Sequence, residues 1–232
     1  MTNILNPELK QPLDRISSAM SSRRSFLGKA LSGGVVAAAV ASLPGAVSGL
    51  RAQTTNDAAG DIAVLNYALT LEHLEARFYV QGLQRFGAGD FRNGKHVSRL
   101  GPETVGRIHE LLTVIRDHEV EHVRVLQNVI TSLGGTPVGP CTYDFGYRNV
   151  DQFLAVAQAL ENTGVMAYDG AIADITSPAL QTAGATIATV EARHAAYLNL
   201  INGASPFPDA FDTPKTMAEI LAIASQFIVS CP

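Results

Sequence analysis

The chain has 232 residues, enough for one domain with a real core beside a processed leader. Apolar residues make up 47% and charged residues 16%, which excludes an intrinsically disordered chain. The net charge is -4 and no basic run follows the leader, so no nucleic acid is expected as a partner.

The first element is a targeting segment, "SSRRSFLGKALSGGVVAAAVASLPGAV", beginning at Ser21. Its basic start at Arg23-Arg24, its Ala/Gly/Val run and its small residues near the end describe a secretory leader. With Ser22 before the paired arginines and Phe26-Leu27 after them, it resembles the twin-arginine export signal. That resemblance implies the twin-arginine export machinery as a partner, export in a folded state, and a periplasmic or extracellular location. The apolar run is mild and broken by Pro44, which argues against a permanent span; an anchored helix is the alternative. Cleavage is expected after Ser48 or Ala52, so residues 1–52 are read as signal and linker.

The remainder reads as all-α, because its apolar residues recur at period 3.6 and never alternate for long. The spacing predicts a first helix over Asp61 to Phe86 and a second from Pro102 to Leu133, stopped by Gly134-Gly135. A third is expected over Val150 to Ile175, with Asn149 and Gln152 as a capping pair. A fourth starts at Pro178 and ends near Asn202-Gly203, and a short fifth spans Pro214 to Val229. The third and fourth helices, joined by very few residues, should be antiparallel neighbours. The linker "GGTPVGPCTYDFGYRN" reaches roughly 50 Å when extended, enough to cross a bundle. Two helical hairpins over 61–203, joined by a long crossover, make the ferritin-like four-helix arrangement. Residues 204–232 then form a C-terminal extension. Cys141 in the crossover and Cys231 near the end could pair in an oxidising compartment; two free thiols are the alternative.

The two hairpins look like copies. "LTLEHLEARFYVQGL" aligns with "AQALENTGVMAYDGAI", matching Glu72 to Glu161 and Tyr79 to Tyr168. "HEVEHVRVL" aligns with "ATVEARHAAYL", matching Glu119 to Glu191 and His122 to His194. Each of these residues interrupts an apolar stripe. In the second helix the stripe is Ile108, Leu112, Ile115, Glu119, His122, Leu126 and Val129; in the fourth it is Leu180, Ala183, Ile187, Glu191, His194, Leu198 and Ile201. Four inward carboxylates repel one another unless protonated or bound to cations, and two divalent ions would neutralise them. One Glu from each of two helices with Glu-x-x-His from each of the others is the di-iron or di-manganese carboxylate pattern. Carboxylate and imidazole without thiolate suit Fe or Mn. Buried polar residues linked by hydrogen bonds are the alternative.

On these residues the chain resembles the ferritin-like superfamily. "LEHLEARFY", "CTYDF", "ALENTGVMAY", "VEARHAAYL" and "PFPDAFDTP" narrow the resemblance to exported ferritin-like proteins that include the desiccation-related proteins. The resemblance implies Glu72, Glu119, His122, Glu161, Glu191 and His194 as metal ligands, with Glu119 and Glu191 bridging. Glu75, one turn after Glu72, is expected on a flank, with a metal contact as the alternative. Tyr79 and Tyr168 either hydrogen-bond ligands, carry an electron, or serve as core aromatics. His73, His118 and Glu121 fall off the stripes, facing solvent or backing the ligands; His96 and His109 read as surface residues. Three uses stay open: redox chemistry with peroxide or oxygen, metal storage or sequestration, and a stress-protective bundle without catalysis. A homo-oligomer is compatible with each.

Overall fold

Four long helices carry the fold. The structure, a computed structural model, describes residues 55–232 except His96; the expected leader over 1–52 and His96 lie outside the described residues. In chain order the α-helices are α1 (Thr55–Arg85), α2 (Ala88–Arg92), α3 (Pro102–Ser132), α4 (Val150–Ala171), α5 (Pro178–Asn202) and α6 (Met217–Ala224). Two short strands, β1 (Thr142–Tyr143) and β2 (Ile228–Ser230), complete the described chain with three 3-10 turns.

The helix boundaries follow local chemistry. Pro102 and Pro178 occupy first-turn positions of α3 and α5, where a missing N–H costs nothing. Asn149 caps α4 by accepting the Gln152 N–H at 2.9 Å, while the Gln152 side chain accepts from Arg148 N at 2.8 Å. Gly134 ends the α3 turn at φ 82°, a left-handed conformation that favours glycine. The turn before α5 is fixed from a distance: buried Asp61 of α1 accepts the N–H groups of Thr176 and Ser177. Helix α4 stops at Ala171, and residues 172–174 tighten into a 3-10 turn, short of the expected end at Ile175.

Helices α1 and α3 pack along their lengths, as do α4 and α5. Contacts between the hairpins run antiparallel: Tyr79 meets Glu161 and Tyr168 meets Glu72 across α1 and α4. An aromatic cluster fills one end, where Phe78 and Phe153 stack at 4.6 Å and Tyr147, Phe145, Phe86 and Phe91 close around them. The crossover lies along α1. Asn66 donates to Thr136 O and accepts from Val138 N, His73 Nε2 sits 3.1 Å from Val138 O, and Arg85 donates to the carbonyls of Tyr147 and Arg148.

The C-terminal extension departs from the sequence expectation. In place of one helix over 214–229, α6 covers only Met217–Ala224, opened by a Thr216–Glu219 capping box, and residues 228–230 form β2. The strand pairs antiparallel with β1, Tyr143 opposite Ile228 and Thr142 opposite Ser230. Cys141 and Cys231 are joined by a disulfide, which sets the last residues beside the crossover. With unpaired backbone groups of β1 alongside, β-branched Ile228 and Val229 are better accommodated in a strand. The extension is also held at its start, where Lys215 N donates to Met166 O of α4 at 3.1 Å. A Cβ on Gly170 would lie 1.9 Å from Lys215 O, so this close approach requires glycine.

Candidate metal centre

Midway along the bundle each long helix turns one glutamate inward. Glu72 of α1, Glu119 of α3, Glu161 of α4 and Glu191 of α5 are all 0% exposed. His122 lies one turn after Glu119, and His194 one turn after Glu191; both are buried.

The six side chains form two overlapping sets. Glu72, Glu119, His122 and Glu191 each offer one atom to a group lying within 4.8 Å, and so do Glu119, Glu161, Glu191 and His194. Glu119 and Glu191 belong to both. His122 Nδ1 lies 3.2 Å from Glu72 Oε2, 3.2 Å from Glu119 Oε2 and 3.1 Å from Glu191 Oε1. His194 Nδ1 lies 3.0 Å from Glu119 Oε1, 3.2 Å from Glu161 Oε2 and 3.8 Å from Glu191 Oε2. The arrangement repeats the duplication of the sequence.

Two tyrosines hold the outer carboxylates. The Tyr79 hydroxyl on α1 donates to Glu161 Oε1 on α4, and the Tyr168 hydroxyl on α4 donates to Glu72 Oε1 on α1, each at 2.5 Å. Each tyrosine therefore reaches across the hairpin boundary to the carboxylate of the other half. His118 Nδ1 is 2.9 Å from His194 Nε2, with the rings stacked, so His118 backs His194 on the side away from the carboxylates. A partner on the outer nitrogen fixes a ligating imidazole's tautomer and ring plane.

Burial and mutual repulsion dominate the electrostatics. Burial pushes the Glu72 carboxyl up to about 8, with His122 opposing and Glu191 and Glu119 adding to the rise. The Glu161 carboxyl is raised well above the usual range by burial and by Glu119 and Glu191. For His194, burial disfavours the cation, but the carboxylates of Glu119 and Glu161 outweigh it and push the imidazole up to about 12. His122 is likewise raised against its burial, by Glu72, Glu119 and Glu191. Glu191 moves the other way: burial would raise it, yet the two histidines draw it down to about 2.

Protein hydrogen bonds satisfy only part of this group: His122 Nδ1 is hydrogen-bonded with Glu72 Oε2 and Glu119 Oε2, and His194 Nδ1 with Glu161 Oε2. Glu119 Oε1 and both oxygens of Glu191 are buried without a hydrogen-bond partner, although imidazole nitrogens lie close by. The nitrogens are near enough but not aligned to donate to them. Three orphaned oxygens within two converging carboxylate and imidazole groups would be costly as they stand, and a cation would satisfy them. The residues present therefore fit a bound metal.

Several side chains stand elsewhere than the sequence suggests. Glu75, expected on a flank, is 3% exposed and turned inward; burial and the repulsion of Glu191 and Glu161 raise its carboxyl well above the usual range. His73 is buried under the crossover, whereas Glu121 faces solvent, as its place off the stripe suggests, and pairs with Arg124. His109 packs edge-on against Phe91. The inward turn of Glu75 had one signal in the sequence: its match in the duplicated half is Gly164, which leaves space opposite it.

Two comparisons bear on this geometry. Residues 60–204 match the family model for the ferritin-like domain. The protein rds1 of Schizosaccharomyces pombe (strain 972) is 25% identical over 172 residues, 74% of this chain and 40% of that protein. The chain thus spans less than half the length of this curated relative. Because the family match runs through all four helices that supply the buried carboxylates and histidines, the chain belongs to the ferritin-like domain family.

Proposed function

We propose that the protein is an exported ferritin-like protein whose four glutamates and two histidines hold a pair of divalent Fe or Mn ions for redox chemistry with peroxide or oxygen. The observation that carries the reading is the pair of buried ligand sets sharing Glu119 and Glu191. When bound, a bridged pair of such ions supplies two electrons to, or accepts two from, one small substrate.

The chain's own residues then have definable parts. Glu72 and His122 would serve one ion, Glu161 and His194 the other, and Glu119 and Glu191 both. Hard oxygen donors with imidazole and no thiolate favour Fe or Mn over softer ions. Tyr79 and Tyr168 orient Glu161 and Glu72, so that those carboxylates hold their rotamers when the charge at the centre changes. Leu69, Leu112, Leu154 and Leu198, all 0% exposed, lie one or two helical turns from the ligands and make the interior beside the group apolar. The twin-arginine-like leader supports export, and the Cys141–Cys231 disulfide supports an oxidising destination. The resemblance to desiccation-related proteins makes protection against oxidative or desiccation stress the setting in which such chemistry would act.

The test is elemental analysis of protein purified after its own export, beside a Glu119→Ala, Glu191→Ala double variant. The expected result is about two Fe or Mn per chain, lost in the variant, as the di-metal carboxylate pattern requires. A native protein that takes up no metal, even after anaerobic loading with Fe(II) or Mn(II), would refute the reading.

A further inference from the structure

The four long helices do not close on one another evenly. Helix α1 packs along α3, α4 packs along α5, and α1 and α4 join the two hairpins; α3 and α5 are not packed together in this way. Between them a cleft leads into a cavity of about 60 Å³ that all four helices line. Its rim is half-buried: Val125 and Val129 of α3, and Leu180, Ala183 and Gly184 of α5. Its floor is buried: Val64 and Ala68 of α1, and Tyr168 and Ala171 of α4. The cavity thus opens outward between α3 and α5 and ends inward against α1 and α4.

The lining decides what can enter. It holds no charged side chain, and its one hydroxyl, that of Tyr168, already donates to Glu72 Oε1. An apolar cavity of this kind offers water no partners and takes apolar guests. The volume equals roughly four to six water molecules, yet falls well short of the about 150 Å³ that accepts a benzene ring. The rim adds no charge. The polar neighbours on α5 are turned to backbone carbonyls: Gln181 donates to Ile175 O, Thr182 to Pro178 O and Thr186 to Ala183 O. Beside Val125 on α3, Arg124 is held by Glu121. At Gly184 an added Cβ would meet nothing within 4 Å, so no neighbour in the chain requires this glycine inside a helix. What its missing side chain does is leave the mouth open.

We propose that the cavity between α3 and α5 binds the end of an unbranched alkyl chain belonging to an uncharged single-chain molecule. Each part of the ligand follows from the site. The apolar lining selects hydrocarbon, the volume selects a chain of a few carbons over a ring, and the open cleft lets the rest of the molecule lie outside. A rim without a free charge selects a neutral head over a carboxylate or phosphate. The chain end would rest on Tyr168, one side chain short of Glu72. The site does not depend on the metal reading, since none of the six proposed ligands lines it.

The test titrates the full mature chain, as purified, with 1-butanol, 1-pentanol and 1-hexanol, read by nuclear magnetic resonance of the side-chain methyl groups. Saturable shifts are expected at Leu126, Ala183 and Ile187, which line the cavity. Each added methylene should tighten binding about fourfold. Hexanol should bind at least tenfold more tightly than hexanoate or benzene. Gly184→Leu and Ala183→Leu fill the mouth from adjacent positions and should weaken hexanol at least tenfold, with far-UV circular dichroism unchanged. Val129→Ala widens the cavity and should tighten it. Absence of saturable shifts in the wild type, wild-type affinity in both filled variants, or hexanoate or benzene binding as well as hexanol would each overturn the proposal. None of these outcomes bears on the metal centre, which elemental analysis of the same sample reads separately.

Discussion

Removing the cations should make the stability of this bundle fall as pH rises from 5 to 8. The carboxyl of Glu72 stands at about 8 in the folded chain against an ordinary 4.5, because burial disfavours its charge. A carboxyl raised on folding binds its proton more tightly in the native state, so its contribution is largest below the unfolded value and is lost as pH climbs toward the folded one. Glu75 and Glu161 are raised in the same direction. His194, raised to about 12, also loses its contribution as pH rises above its unfolded value of 6.5. Glu191, drawn down to about 2, contributes fully everywhere above its unfolded value and adds no slope in this window. One group held in its protonated form across the window costs about 1.4 kcal/mol per pH unit, or several kcal/mol from pH 5 to 8. For a domain of this size that is a fall in Tm of roughly 3–5 °C per pH unit. Bound cations displace those protons and bind more tightly at higher pH, so the loaded protein should resist the fall. Calorimetry of chelator-treated and Fe- or Mn-loaded protein at pH 5, 6, 7 and 8 reads the effect. A metal-free Tm that stays level or climbs over this range would refute the burial-driven account of the site.

Further predictions concern the parts around the centre. Tyr79→Phe and Tyr168→Phe each strip a buried carboxylate of its donor, which should cost about 1–3 kcal/mol and weaken metal binding about 10- to 100-fold by chelator competition. His118→Ala should weaken metal binding in the same range while leaving far-UV circular dichroism unchanged, since it removes only the partner of His194 Nε2. Cys231→Ser opens a link spanning 90 residues and should cost up to about 4–5 kcal/mol by loop entropy, read as a lower midpoint in urea; an unchanged midpoint would show that β1–β2 pairing alone holds the extension. Gly82→Ala puts a methyl 2.0 Å from the Phe153 ring in the aromatic cluster and should destabilise by about 1–3 kcal/mol through overpacking.

The bundle and the central ligand candidates were legible because their signals are periodic and duplicated. A carboxylate recurring in matched apolar stripes points inward on any helix packed on one face. That assumption holds for α3, though its lower stripe drifts to Leu126 and Ile130 and leaves Val129 half-buried. It fails for α1, where residues 71–75 are all buried. The crossover covers His73 on one side and the C-terminal extension covers Glu75 on the other, so no single stripe describes that helix. The shortened α6 was hidden for a related reason. Residues 217–227 have helical spacing, but their end is decided by a strand and a disulfide partner some 90 residues away. His118 lies off its own helix's stripe, and only the approach of α5 gives it His194 to meet.

The central claim is that two ions sit between specific side chains of this bundle. Anomalous diffraction from crystals of the exported protein, with data above and below the Fe and Mn edges, tests it most directly. The account predicts two anomalous peaks per chain, one among Glu72, Glu119, Glu191 and His122 and one among Glu119, Glu161, Glu191 and His194. Peaks at other residues, or none in crystals soaked anaerobically with Fe(II) or Mn(II), would contradict it.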